Sequence, residues 1–214
     1  MIYLLSPTAQ EETEHLPMID FRLLEGEIAL KSYDYLMFTS KQAVLSADTL
    51  NKKWKEIPCL AIGKATANQI EKLGGSVAYH PDTFYGQSLG KDIIKKFWDK
   101  KILYLRPKEV SFDSKTFLEQ AGMVLDEKII YETRCKHYSF LDAPPLYSII
   151  IFTSPSTIHC FLKNFKWSET YTAIVIGEAT KEHLPTNVKV FVANTPLISS
   201  CIEKSKQILT ANKL

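Results

Sequence analysis

An internal repeat constrains the fold of this chain more than any other feature of its sequence. Residues 35–40, YLMFTS, resemble residues 149–154, IIIFTS, and residues 62–66, IGKAT, resemble residues 176–180, IGEAT. In both pairs the equivalent positions are 114 residues apart. Two motifs at one offset are much harder to obtain by chance than either motif alone. Each half is therefore predicted to contain a strand, a helix, a second strand and a second helix.

The pattern between these motifs is typical of an α/β protein. Short apolar strands alternate with helical stretches, as in a parallel sheet covered by helices. Gly74-Gly75 ends a predicted helix at 65–73, and Gly122 ends one at 114–121. In such a fold ligands bind at the carboxyl ends of the strands.

One repeated strand is displaced along the chain. Residues 102–107, ILYLRP, follow their half, whereas the similar residues 1–7, MIYLLSP, begin the chain. The displacement predicts a strand and a short helix at the N-terminus that belong to the C-terminal half, with the middle of the chain inserted as a second domain. The alternative is one continuous α/β domain with a chance repeat. The predicted division is residues 1–16 with 134–214, residues 24–124, and two β-prone, glycine-free connector strands at 17–23 and 125–133.

Composition excludes several classes of protein. The 214 residues carry a net charge of +2, and only three of the 26 basic residues are arginine. This disfavours a dedicated nucleic-acid binder, but an anionic small molecule needs only local donors. The N-terminal segment lacks a basic region, and no apolar stretch is long enough to cross a bilayer. We therefore expect a cytoplasmic protein without a signal peptide or contact with nucleic acid or membrane.

Cysteine and histidine show no metal-ligand spacing. The four cysteines, Cys59, Cys135, Cys160 and Cys201, are spread singly, which favours free buried thiols over a disulfide framework or zinc. The five histidines are also scattered. No metal site is predicted.

Hydroxyl residues recur where a parallel sheet binds ligands. Thr39-Ser40 and Thr153-Ser154 follow one predicted strand of each half, and the segments 63–66 and 177–180 follow the next. Backbone N–H groups at helix starts attract anions, although for any single hydroxyl a role as helix N-cap is favoured. Gly63 and Gly177 either allow close helix–strand packing or let the backbone approach a ligand. The duplication favours a ligand held between two domains.

Two further residues stand out. Arg106 follows an apolar strand and could bind a carboxylate with two hydrogen bonds; the alternative is a surface salt bridge. Tyr131 lies in a predicted connector strand, where a phenol could donate a proton or a hydrogen bond; the alternative is an ordinary half-buried strand tyrosine.

The ordered motifs together resemble the uroporphyrinogen-III synthase family. They are 38–44, FTSKQAV; 62–67, IGKATA; 131–133, YET; 152–156, FTSPS; and 176–180, IGEAT. The resemblance spans nearly the whole chain. The sequence departs from the family at 107–110, PKEV, where many members have a glycine-rich basic loop.

The resemblance implies two flavodoxin-like parallel-sheet domains joined by a two-stranded β connector, with the N-terminal strand in the C-terminal domain. It implies a cyclising lyase of tetrapyrrole and haem biosynthesis, which converts hydroxymethylbilane into uroporphyrinogen III and water with inversion of ring D. It implies no cofactor, a monomer, and transient contact with the upstream synthase. Tyr131 becomes the expected proton donor. The expected substrate contacts are Thr39, Ser40, Gly63, Thr66, Arg106, Ser154, Gly177 and Thr180.

Two competing functions use the same features. A non-catalytic two-domain protein could close on an anionic small molecule, although such proteins are usually exported. A regulatory flavodoxin-like pair is the other alternative, and the absence of an acidic cluster in the sequence disfavours it.

Overall fold

The computed structural model describes residues 1–83 and 85–211, which form two compact units. Unit 1 comprises Met1–Asp20 and the described residues from Arg134 onward, and unit 2 comprises Phe21–Thr133. Each unit is an α/β structure built on one sheet. The predicted fold class is confirmed.

Unit 1 contains a five-stranded parallel sheet. Its strands are β1 (Ile2–Leu4), β2 (Glu14–His15), β9 (Ile149–Phe152), β10 (Thr172–Val175) and β11 (Val190–Val192), and its helices are α5 (Pro155–Asn164), α6 (Glu178–Lys181) and α7 (Ile198–Ala211). The strands lie in the order β11-β10-β9-β1-β2. The core packs apolar strand residues against α7.

Unit 2 contains most of a six-stranded sheet. Its strands are β3 (Ile19–Leu23), β4 (Tyr35–Phe38), β5 (Cys59–Ala61), β6 (Val77–Tyr79), β7 (Ile102–Pro107) and β8 (Leu125–Cys135), and its helices are α1 (Lys41–Leu50), α2 (Lys64–Lys72), α3 (Gly86–Lys96) and α4 (Ser114–Gln120). The strands lie in the order β3-β8-β7-β4-β5-β6. Apolar clusters fill both faces of this sheet.

The repeat is visible in the strand order. Strands β4, β5 and β6 correspond to β9, β10 and β11, and β7 and β8 then occupy the positions of β1 and β2. Numbered along its own chain, unit 1 has the flavodoxin order 2-1-3-4-5. Unit 2, numbered from β4, has the order 3-2-1-4-5. The two sheets therefore share one spatial arrangement, and the N-terminal strand completes the C-terminal unit as predicted.

The predicted connector strands pair with each other. Lys136 N–H donates to the Met18 carbonyl at 2.9 Å, and Leu24 N–H donates to the Ile130 carbonyl at 3.0 Å. From the first pair to the second, the residue number rises in one connector strand and falls in the other, so the pairing is antiparallel. On its other side β8 pairs in parallel with β7. The exact limits of the predicted division remain a prediction.

The prediction of a short helix near the N-terminus is wrong. Residues 5–13 form bends and turns, with Glu12 at a φ of 64°, and β2 follows at Glu14. The segment from Pro7 to Glu14 offers Ala9 alone as an apolar residue, so a helix would have no apolar face to bury. None of the described helices is long and apolar enough to span a membrane.

The expectation of four free thiols is also wrong. Cys135 and Cys160 form a disulfide with a Cα–Cα distance of 5.1 Å, within the range that disulfides require. Cys135 ends β8 and Cys160 lies in α5. Their 25-residue separation conceals a contact that only the folded chain creates. Cys59 and Cys201 are buried free thiols, as expected.

Candidate functional site

The strand order of unit 2 changes direction between β4 and β7, which are neighbours in the sheet. Helices lead away from these two strands to opposite sides of the sheet, which makes this the topological switch point where open α/β sheets bind ligands. Thr39 and Ser40 directly follow β4, and Arg106 lies at the end of β7. The register pairs Met37 with Tyr104 on β7.

Two phenols meet the two hydroxyls that follow β4. The Tyr104 hydroxyl lies 2.6 Å from Thr39 Oγ1, and the Tyr131 hydroxyl, on β8, lies 2.9 Å from Ser40 Oγ. Both tyrosines are buried, with 1% and 4% exposure, whereas Thr39 and Ser40 are half-buried. The phenols therefore reach the sheet edge from inside the core, one strand and two strands away from β4.

Ser40 also caps α1. Its Oγ accepts a hydrogen bond from Ala43 N–H at 3.0 Å, which satisfies one of the free N–H groups of the first turn. With this lone pair occupied, the serine proton can be directed at the Tyr131 oxygen. The Tyr131 proton is then available for a second acceptor at the edge.

Burial sets the acidity of both phenols. It raises the pKa of Tyr104 to about 12 against the lowering effect of the Thr39 hydrogen bond. Burial likewise raises the pKa of Tyr131 above its ordinary value of 10.0, and the hydrogen bond with Ser40 opposes this rise. Both groups are protonated at neutral pH, so either can act as a donor.

Arg106 is engaged with its own loop and a neighbouring strand. Its Nε lies 3.0 Å from Glu127 Oε1, but outside hydrogen-bond geometry. Its Nη1 donates to the carbonyls of Pro107 and Lys108 at 3.0 and 3.1 Å. A carboxylate ligand of Arg106 would use Nη2, to which none of these contacts goes. The predicted two-bond contact therefore remains a prediction.

Two exposed lysines lie at the same edge. Lys41 is the first residue of α1 and Lys64 the first of α2, and neither helix has an acidic residue in its first turn. A cation opposes the positive end of the helix dipole. Because β4 and β5 pair in parallel, both helices start at the same end of the sheet, where the carboxyl ends of the two strands lie. The two lysines add positive charge to this edge, and each lowers the stability of the helix that it begins.

Unit 1 repeats the frame without these groups. Ser154 caps α5 in a capping box with Thr157. The register pairs Leu4 with Ile151 on β9, the equivalent of Met37, so Leu4 occupies the position of Tyr104. Pro155 and Glu178 occupy the positions of Lys41 and Lys64.

The second pair of repeated loops, 63–66 and 177–180, lies where α2 and α6 begin. Gly63 is the N-cap residue of α2 and Gly177 that of α6, and neither helix has a side-chain cap hydrogen bond. A Cβ atom at Gly177 would meet nothing within 4 Å, so close packing does not require this glycine. Thr66 and Thr180 are buried, each 4% exposed, and their substrate contacts remain predictions.

Sequence reasoning had selected Thr39, Ser40, Arg106 and Tyr131, which the fold brings to one edge of unit 2. It missed Tyr104, Lys41 and Lys64. The lysines could have been found, because they stand at predicted helix starts. Tyr104 could be identified only from the strand register. The sequence similarity of 102–107 to 1–7 aligns Tyr104 with Tyr3, whereas the register makes Leu4 its structural equivalent.

Comparisons with known proteins agree on one family. The family described as uroporphyrinogen-III synthase HemD matches residues 8–203. The uroporphyrinogen-III synthase of Synechococcus elongatus is 25% identical over 171 residues, or 72% of this chain, and the chain spans 65% of the length of that curated relative. The crystal structure of uroporphyrinogen-III synthetase from Helicobacter pylori 26695 superposes with a TM-score of 0.80 at 27% identity, covering 97% of this chain and 98% of that one.

A more distant structure shares the fold. A mutant uroporphyrinogen III synthase from the extremely thermophilic bacterium Thermus thermophilus has a TM-score of 0.63 at 12% identity, with 98% of each chain covered. At this identity the similarity concerns the fold alone.

Proposed function

Because the chain belongs to the uroporphyrinogen-III synthase family, we propose that it cyclises hydroxymethylbilane to uroporphyrinogen III with inversion of ring D and release of water. The observation that carries this proposal is the Tyr131–Ser40 pair, a buried phenol whose hydroxyl reaches a strand-end edge. An acid at such an edge suits the first step of the reaction, the departure of a hydroxyl group.

Tyr131 is the proposed proton donor. As the terminal C–O bond breaks, the pyrrole nitrogen supplies the electron pair that forms a cationic, N-protonated azafulvene, and the phenol proton completes the leaving water. Ser40 O–H donates to the phenolate that remains. Because burial raises the pKa of Tyr131, this phenolate readily takes back the proton released when the rearranged ring becomes aromatic again.

The remaining chemistry requires positioning. The distal pyrrole attacks the methylene carbon of the azafulvene through its own substituted carbon, which forms a spiro intermediate. This intermediate fragments at the older bond to that carbon and closes again with the distal ring inverted. The residues at the edge contribute by fixing the bound conformation. Tyr104 acts here as a positioning residue, since it holds the Thr39 hydroxyl at 2.6 Å.

The cations of unit 2 suit the substrate's charge. Hydroxymethylbilane carries eight carboxylates, and Lys41, Lys64 and Arg106 lie at or follow the carboxyl ends of three neighbouring strands. Thr66, Ser154, Gly63, Gly177 and Thr180 are the further proposed contacts. Backbone N–H groups at the helix starts support this role.

Tyr131→Phe tests the proposal. The change should lower kcat about a hundredfold or more, the usual contribution of a general acid, with a smaller effect on KM. The matched control is Tyr35→Phe, which removes a phenol at the opposite end of β4. Hydroxymethylbilane is generated enzymatically, and the oxidised products are separated by chromatography.

The two possible failures are distinguishable. If the unmodified chain gives only the type I isomer that forms without protein, the proposed activity is refuted and the binding-protein alternative gains. If the type III isomer forms and Tyr131→Phe matches the control, the activity stands and the role of Tyr131 is refuted.

We further propose that the chain acts as a cytoplasmic monomer in transient contact with the synthase that supplies its substrate. Spontaneous ring closure competes with the enzyme, so a short transfer time favours the correct isomer. Sedimentation of the chain alone and with that synthase tests both statements, and a stable dimer would refute the first.

A further inference from the structure

Two histidines of unit 1 come together on its surface. His159 lies in α5, and His183 follows α6. His159 Nε2 is 3.0 Å from His183 Nδ1, and the ring centroids are 4.9 Å apart with planes at 74°. Both residues are exposed. Their separation of 24 residues conceals the contact in the sequence.

The distance between the nitrogens suits metal coordination. Imidazole nitrogens bind first-row divalent metals at about 2.0–2.1 Å, so two nitrogens at adjacent positions of a square-planar or octahedral ion lie about 3 Å apart. Ni²⁺ and Cu²⁺ favour these geometries. We propose that His159 and His183 form a two-histidine binding site for a divalent transition-metal ion of this class.

Only a proton and two ring orientations must change for an ion to bind. In the present contact the N–H of one ring donates a hydrogen bond to the unprotonated nitrogen of the other ring. The donor ring can carry that proton on its second nitrogen instead, as neutral imidazole does. Each ring then turns so that both lone pairs meet at the ion, which their exposure permits.

The backbone around the pair is already ordered. His159 lies within a ten-residue helix that begins with a capping box. His183 N–H donates to the Thr180 carbonyl at 3.2 Å, and the next residue, Leu184, donates to the Lys181 carbonyl at 3.0 Å. No group of three or more His, Cys, Asp or Glu residues suited to a metal occurs within residues 1–83 and 85–211. Water would fill the remaining coordination positions.

Calorimetric titration of the untagged chain with NiCl₂ tests the site. We expect one ion per chain, and binding at least about tenfold weaker in His159→Ala and in His183→Ala, a loss of about 1.4 kcal/mol. His137→Ala is the matched control, because it removes another exposed histidine of unit 1 and should leave the affinity unchanged.

A second measurement separates a lost site from a misfolded variant. The thermal midpoint of the unmodified chain should rise with NiCl₂, as expected for a ligand that binds the folded state. The His159→Ala and His183→Ala variants should start from a similar midpoint and show no such rise. Equal Ni²⁺ affinity in the unmodified chain and both variants would show that the contact is only a hydrogen bond and would overturn the proposal. Neither readout depends on turnover of hydroxymethylbilane.

Discussion

Reversing the charge at the start of α2 should stabilise the protein and at the same time weaken substrate binding. Lys64 is exposed at the positive end of the helix dipole. An acidic residue there should stabilise the helix, since a charge at a helix end contributes about 0.3–1 kcal/mol and Lys64→Glu reverses its sign. A gain of about 1 kcal/mol corresponds to a rise of about 2–4 °C in Tm for a chain of this size.

The same substitution should weaken substrate binding. A lysine about 6 Å from a carboxylate in water contributes about 0.7 kcal/mol. Its reversal therefore changes the binding free energy by about 1.4 kcal/mol, which raises KM about tenfold. Lys41→Glu should behave in the same way at the start of α1. The increase should shrink in 1 M salt, where the Debye length falls to about 3 Å.

Lys72→Glu is the control on the same helix. Lys72 is exposed in the last turn of α2, about 12 Å along the axis from Lys64 at about 1.5 Å per residue. The charge change is identical, but an anion at the negative end of the dipole should lower Tm, and KM should stay constant. Steady-state kinetics and thermal unfolding of the three variants give both quantities. If Lys64→Glu raises Tm and leaves KM unchanged, the cations do not bind substrate; if Lys72→Glu raises KM equally, net charge explains the effect.

Three other predictions follow from particular contacts. Ser40→Ala and Ser154→Ala should each cost about 1 kcal/mol of unfolding free energy as N-caps, but Ser40→Ala should lower kcat more, because only Ser40 contacts Tyr131; an equal fall in kcat would contradict this. Reduction of the Cys135–Cys160 disulfide should lower the unfolding free energy by about 3.5 kcal/mol, as estimated for a loop of about 25 residues; an unchanged denaturation midpoint in reductant would refute it. Because burial raises the pKa of Tyr104 to about 12, its stabilising contribution is complete below pH 10 and is lost as pH rises towards 12, with a slope of up to about 1.4 kcal/mol per pH unit; Tyr104→Phe should flatten the alkaline fall in stability, and an unaltered slope would show that this phenol does not contribute.

The repeat made the fold predictable from the sequence. Strand and helix periodicity alone indicate an α/β protein, but the displaced resemblance between 102–107 and 1–7 also indicates which strand completes which sheet. Glycine marked helix ends where the backbone needs a positive φ, as at Gly74 and Gly122. These signals are local or duplicated, so one sequence suffices to detect them.

Contacts between distant residues were not predictable in the same way. The disulfide, the His159–His183 pair and the ion pair between Arg106 and Glu127 each join side chains more than 20 residues apart. No periodicity or turn signal encodes such a contact. The partner of Arg106 follows only from the pairing of β7 with β8.

The duplicated frame also shows which groups the fold itself does not need. Both units have the same spatial arrangement of strands, a serine that caps the helix after the equivalent strand, and a glycine before the next helix. Unit 1 folds with Leu4 in the position of Tyr104 and Glu178 in the position of Lys64. A buried phenol and a cation against a helix dipole are thus not requirements of this architecture. Their presence at the switch point of unit 2 therefore supports the proposed reaction on an anionic substrate.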